Sequence, residues 1–268
     1  MEMKKIKCLV IAWIVMVFMG GGISKADADE KVTVGGSADF FEKYVWRGQD
    51  LVDDWVFQPG ASVGYGGLTA SFWGNLELTD ENGHNGEMSE VDLTLDYSGQ
   101  FPGIDILGYS VGMIYYDFPI NGAADDTEEI YAGLSLDVPA SPSVTVYHDV
   151  DEVKDGTYIS VGVSHSFEDV FEIGPDTPVG VDLSASIGWA NSKYNKVYWG
   201  TKPNGGSIGG AANDLVLTLA LPFELAGFDV TASLNYVTLV DEDIRSTDAY
   251  GKGRDDMLFA GIGVAKEF

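Results

Sequence analysis

From residue 37 onward the chain is built of short runs in which apolar and polar residues alternate. The clearest places Val91, Leu93, Leu95 and Tyr97 on one face and Glu90, Asp92, Thr94 and Asp96 on the other. Residues 178–190 repeat the pattern, with Val179, Val181, Leu183, Ala185, Ile187 and Trp189 set against Gly180, Asp182, Ser184, Ser186 and Gly188. Residues 227–239 do the same with Phe228, Val230, Ala232, Leu234 and Tyr236 against Asp229, Thr231, Ser233 and Asn235. A period of two is the signature of a β-strand with one oily and one polar face. Twelve such runs lie near 37–48, 55–66, 67–79, 89–98, 104–117, 127–138, 142–150, 156–167, 178–190, 213–223, 227–239 and 256–268.

Most of these runs exceed the roughly 5–6 residues of a soluble strand and suit the roughly 9–11 residues of a tilted strand crossing a bilayer. Long and short connections alternate between them, the arrangement of membrane barrels with long outer loops and short inner turns. One pair departs from it, because Asp151 to Asp155 is shorter than Glu168 to Thr177. The pattern predicts an all-β fold, a transmembrane antiparallel up-and-down β-barrel of 12 strands, with 10 or 14 as the neighbouring counts. Periodicity alone leaves a soluble sandwich open, in which the oily faces pack on each other rather than on lipid.

The start of the chain sharpens this. Lys4, Lys5 and Lys7 precede an apolar run from Cys8 to Met19, then Gly20-Gly21-Gly22 and Ala26-Asp27-Ala28. Charged, apolar and small segments in that order make a secretory signal peptide. Cleavage is expected after Ala28, leaving residues 29–268 as a single barrel domain in the outer membrane of a Gram-negative-type envelope.

Removing residues 1–28 takes four Lys from 15 basic residues and Glu2 and Asp27 from 42 acidic ones, so the mature charge is 11 − 40 = −29. Nucleic-acid binding draws on clustered Lys and Arg, so it is excluded. The only cysteine, Cys8, leaves with the signal peptide, which removes disulfides, thiolate metal sites and cysteine nucleophiles.

In the last run Leu258, Ala260, Ile262, Val264 and Phe268 share a face. An alternating final strand ending in an aromatic residue resembles the terminal signal read by the barrel assembly machinery of outer-membrane proteins, which makes Phe268 the candidate assembly signal. Tyr44, Trp46, Tyr65, Tyr97, Tyr115, Trp189 and Tyr236 suit aromatic girdles at the membrane interfaces. Glu42 breaks the first run, since strict alternation puts it beside Phe40 and Tyr44 on the lipid face unless a bulge turns it inward.

The segment Ser37 to Gly48, ending Tyr44-Val45-Trp46-Arg47-Gly48, resembles the opening strand of the TorF-type porin family of exported proteobacterial proteins. Echoes follow at Gln58-Pro59, Gly67-Leu68, Trp73-Gly74, Glu90-Val91-Asp92-Leu93, Ile114 to Pro119 and Glu129 to Gly133. After Arg47-Gly48 this chain has Gln49-Asp50 where that family continues with a small apolar residue and Ser. The resemblance implies a porin-like barrel and supplies no substrate.

On a barrel the polar face lines the interior, which gives Asp39, Lys43, Arg47, Glu77, Glu90, Asp92, Asp96, Asp137, Asp182 and Asp229 as channel-lining candidates. Lys43 and Arg47, four apart on one strand, are placed to meet carboxylates of neighbouring strands such as Glu77. Carboxylate rings favour cations. The expected function is passive diffusion of ions or small hydrophilic solutes through a weakly cation-preferring pore. The alternatives are a closed structural barrel of the outer membrane and a soluble periplasmic ligand-binding sandwich.

Expected partners are outer-membrane lipid, lipopolysaccharide, the assembly machinery and the solute itself. No metal or other cofactor is expected, because the acidic stretches at Asp80-Glu81, 148–156 and Asp241-Glu242-Asp243 lack calcium-loop spacing. Neither is an enzyme. The three histidines, His84, His148 and His165, accompany no Gly-x-Ser-x-Gly or His-Glu-x-x-His motif.

Overall fold

A computed structural model describes residues 31–120, 126–251 and 253–268. The expected signal peptide, residues 1–28, lies outside the described residues. The strands are β1 (Thr33–Phe41), β2 (Tyr44–Trp46), β3 (Gln49–Val52), β4 (Val56–Tyr65), β5 (Leu68–Glu77), β6 (Met88–Phe101) and β7 (Ile104–Asp117). They continue with β8 (Thr127–Leu136), β9 (Ser143–Asp149), β10 (Thr157–Gly174), β11 (Thr177–Ala190), β12 (Ala211–Leu225), β13 (Phe228–Leu239) and β14 (Asp256–Glu267). Strand β1 pairs with β4 and β14, and every other barrel strand pairs antiparallel with its chain neighbours, so twelve strands close on themselves. Closure leaves no open sheet edge around the wall.

Residues opposite each other in a ladder share a face, so the register fixes which side chains point in. Trp73 faces Asp92, Asp92 faces Tyr116, and Gly112 faces Tyr131. The opposite parity carries the apolar exterior, where Val161, Leu183, Ile187, Leu217, Leu234 and Ile262 are each exposed. A single closed sheet has no second layer to cover these side chains, which removes the soluble sandwich and leaves a wall suited to hydrocarbon. Tyr65, Tyr97, Phe101, Phe167 and Phe228 stand exposed toward the short-turn end, and Phe40, Trp55, Trp189 and Tyr236 toward the long-loop end. At the seam the Phe268 N–H donates to the Val34 carbonyl at 2.8 Å, tying the last residue to β1.

The structure corrects the first run. The wall strand ends at Phe41, and Tyr44 to Val52 form a separate two-stranded hairpin, β2–β3. Glu42 sits beyond the strand end, where its carboxylate accepts the Ala260 N–H at 2.8 Å, so neither the lipid-facing charge nor the bulge is needed. Tyr44 and Trp46 are inside the barrel rather than in a girdle. The departure from loop alternation at 168–177 also resolves, because β10 and β11 run on past the wall to a tight turn at Pro175-Asp176. Residues 168–170 of β10 stand opposite the single residue Gly180 of β11 between the Phe167–Val181 and Phe171–Val179 pairs, so β10 bulges by two extra residues.

Candidate functional site: a hairpin across the lumen

Trp46 pairs with Gln49 across the two-residue turn Arg47-Gly48, whose φ angles are 48° and 82°. Positive φ at both central residues is the turn whose twist suits a tight hairpin. It is ordinary for Gly48 and costs Arg47 about 1–2 kcal/mol. Gly48 is required for space as well, since a Cβ there would lie 2.8 Å from both the Asp214 Cβ and the Leu239 Cδ2 of the wall.

The hairpin folds inward from the long-loop end and bridges the lumen. On one side Tyr44 and Val52 pack with Phe41, Val56, Val237, Met257 and Phe259, with Trp73 against them. On the other, Trp46 packs on the cluster of Tyr147, Tyr158, Ala190 and Tyr194. At this level every barrel strand contributes a buried inward residue, from Phe41 of β1 through Asn75, Glu90, Tyr116 and Glu129 to Asp214 of β12 and Met257 of β14. The short helix Ser192–Tyr198 adds Tyr194, whose hydroxyl accepts from the Gln49 side chain at 3.2 Å, and Tyr250 donates to the same Gln49.

Arg47 is the centre of this packing. Its two terminal nitrogens each donate to a Glu129 carboxylate oxygen at 2.7 Å, and Tyr116 donates to Glu129 at 2.8 Å. The guanidinium carbon lies 4.4 Å from the ring centres of Trp46 and Tyr147, 4.5 Å from Tyr158 and 5.8 Å from Tyr194. Burial by itself would make this guanidinium less basic, but the Glu129 carboxylate together with Tyr116 and Tyr194 outweighs that and keeps it charged. Tyr158 is fixed in turn by donating to Asp214 at 3.0 Å. Gly188 makes that possible, because a Cβ there would fall 2.1 Å from the Tyr158 hydroxyl.

A second latch holds the hairpin base. Asp50, almost wholly buried, lies 3.7 Å from both the Lys43 Nζ and the Arg254 Nε, and Lys43 and Arg254 also pair with Asp53. Arg254 reaches Glu81 at 3.2 Å, so two further loops join the network. Burial raises the Asp50 carboxyl above its usual value against the opposing pull of Lys43 and Arg254.

Of the predicted lining residues, Asp39, Glu77, Glu90, Asp92, Asp96, Asp182 and Asp229 have inward parity. Glu77 and Glu90 are buried against the hairpin level, whereas Asp229 is exposed at the short-turn rim. Lys43 and Arg47 do not share a strand face. Lys43 lies between β1 and β2, Arg47 is at the hairpin tip, and neither pairs with Glu77. Asp137 is also not on the wall, since β8 ends at Leu136 and Asp137 is exposed in the following turn. Sequence reasoning missed Glu129, Tyr147, Tyr158, Tyr194 and Asp214. The alternation Glu129, Tyr131, Gly133 would have marked Glu129 as inward. Nothing local marks it as the partner of a residue 82 positions away.

Below the hairpin the lumen changes character. Ser37, Ser62, Ser71, Ser98, Ser110, Thr145, Ser160, Ser184 and Thr231 face inward between glycines, with Asp39, Asp96 and Asp182 among them. Tyr131 donates to Asp96 at 2.5 Å. No Lys or Arg of the described barrel strands has inward parity. The barrel is therefore a hydroxyl-lined, acidic cup closed at its long-loop end by its own first loop.

No family model matches the chain, and no curated protein matches it. Among solved structures it is similar to the NanC porin, at 13% identity and a TM-score of 0.45, covering 88% of this chain and 98% of that one. It is similar to the outer-membrane channel DcaP of Acinetobacter baumannii at 9% identity and a TM-score of 0.39, covering 91% and 99%. A third is Salmonella typhi OmpF in complex with daunomycin, at 11% identity and a TM-score of 0.35, covering 89% and 97%. These scores are low, and the barrel stands on its own strand pairing.

Proposed function

We propose that the chain is a porin-like channel of the outer membrane that admits ions or small hydrophilic solutes, weakly prefers cations, and is closed in this conformation by the β2–β3 hairpin. The observation that carries this reading is the contrast within one lumen. A cup lined by serine, threonine and glycine is polar along its wall, while its far mouth is crossed by a loop that folds in from outside the wall. The barrel strands have no inward base to offset Asp39, Asp96 and Asp182, which supports the cation preference. The apolar belt and its aromatic rims support lipid and lipopolysaccharide as neighbours, and the pairing of Phe268 on β1 is compatible with assembly through the last strand. The first-strand resemblance to TorF-type porins points the same way.

The test is conductance in planar bilayers of the mature chain and of a variant lacking residues 44–52. The expected result is a low steady conductance for the former and a stable, cation-preferring conductance for the latter. Replacing Asp39, Asp96 and Asp182 by Asn should then reduce the preference. A second reading, a closed structural barrel, is favoured by the completeness of the ring of buried residues. It predicts that the shortened variant folds and still does not conduct.

A further inference from the structure

We propose that the pocket filled by Arg47 is a guanidinium-binding site of the barrel wall, and that a small solute bearing a guanidinium competes with Arg47 for it and so releases the hairpin. This deepens the channel reading and rests on it for the consequence, though not for the binding itself.

The pocket is built without the hairpin. Tyr116, Glu129, Tyr147 and Tyr158 come from four successive wall strands, β7 to β10, and Tyr194 from the helix beyond β11. Only Arg47 and the Trp46 ring on it belong to the loop. Two wall contacts already hold the pocket in shape, Tyr116 to Glu129 at 2.8 Å and Tyr158 to Asp214 at 3.0 Å. Withdrawal of the hairpin would leave a buried carboxylate with both oxygens pointing at the vacated space and tyrosine rings flanking it.

That chemistry selects a planar fork over a point charge. Two parallel hydrogen bonds to one carboxylate match a guanidinium, and its flat faces stack on rings, whereas an ammonium satisfies neither requirement fully. Arg47 occupies the site from a left-handed backbone with φ 48°, a strain that a free solute does not carry. Opposing this, the loop presents Arg47 at an effective concentration on the order of millimolar, so a competitor acts in that range. The acidic cup below concentrates cations next to the site.

The probes are agmatine, which carries a guanidinium and an ammonium, and putrescine, which carries two ammoniums and the same charge. Titrated into the detergent-solubilised Arg47→Ala protein, agmatine should bind saturably and putrescine at least about tenfold more weakly. Adding Glu129→Gln should abolish the agmatine site. In the unsubstituted protein, millimolar agmatine should speed amide exchange of residues 44–52 beyond the effect of putrescine. Equal binding of the two amines, agmatine binding that survives Glu129→Gln, or hairpin exchange no faster in agmatine than in putrescine would each overturn the proposal. If Arg47→Ala does not fold, Arg47→Lys, which keeps the charge and loses the fork, serves as host for the same titrations. None of these readouts needs current, so a barrel that binds agmatine but never conducts would count against the channel and leave the site standing.

Discussion

The Arg47 guanidinium and the Glu129 carboxylate meet face to face through two 2.7 Å hydrogen bonds, joining the tip of an inward-folded loop to the barrel wall. Both side chains are nearly inaccessible, at 8% and 3% exposure. Removing one partner of such a pair leaves the other charged and buried, at a cost of about 3–5 kcal/mol. Arg47→Ala should therefore raise conductance and lower stability by roughly that amount. Urea unfolding in lipid vesicles measures the second effect. The double variant Arg47→Met with Glu129→Leu should recover much of the lost stability, because it removes both charges and keeps the volume.

Gly48→Ala tests whether the hairpin must seat against the wall. Its Cβ would meet Asp214 and Leu239 at 2.8 Å from a backbone with φ +82°. The hairpin should lose its seat while the barrel remains closed on itself. Amide exchange should accelerate within 44–52 and stay unchanged in the barrel strands. Uniform acceleration across the strands would contradict that division.

The base of the hairpin should respond to pH through Asp50. Its folded carboxyl titrates above the ordinary value of 3.8, so the folded state holds this proton more tightly than the unfolded chain does. The stabilisation it provides is fully present below 3.8 and is lost as pH rises through its raised folded value. Exchange protection of 44–52, corrected for intrinsic rates, should be greater in mild acid than at neutrality. Asp50→Asn should flatten that dependence, and an unaltered profile in the variant would rule Asp50 out as its source.

Adjacent residues of β11 separate lipid from lumen. Leu183 is 46% exposed on the outer face, whereas Ser184 faces Ser164 and Thr218 inside. Leu183→Lys should destabilise the barrel in vesicles by about 2–4 kcal/mol if it sits near the bilayer midplane. Ser184→Lys should leave stability nearly unchanged and, with the hairpin deleted, shift selectivity toward anions. Equal costs at the two positions would mean that the outer face does not meet hydrocarbon.

Much of this fold is legible in the chain because a barrel wall is written in a local code. Alternation identifies the strand carrying Val91, Leu93 and Leu95, and the same parity puts Glu90, Asp92 and Asp96 inside, where the structure has them. The code fails where the chain leaves the wall. Tyr44 to Gly48 continue an aromatic, alternating pattern directly after β1, so a single strand over 37–48 is the natural reading. The break after Phe41 depends on Glu42 bonding Ala260, a residue from the far end of the chain.

The residue sequence thus determines the two-faced ribbons of the wall and, within each ribbon, which side chains turn inward, since both follow from a repeat of two and from turn residues near in the chain. Only the tertiary structure decides that the first loop enters the lumen and that Arg47 finds Glu129. A loop's course is set by the contacts it makes at its destination, here carboxylates and rings supplied by strands far along the chain, and no local periodicity carries that information.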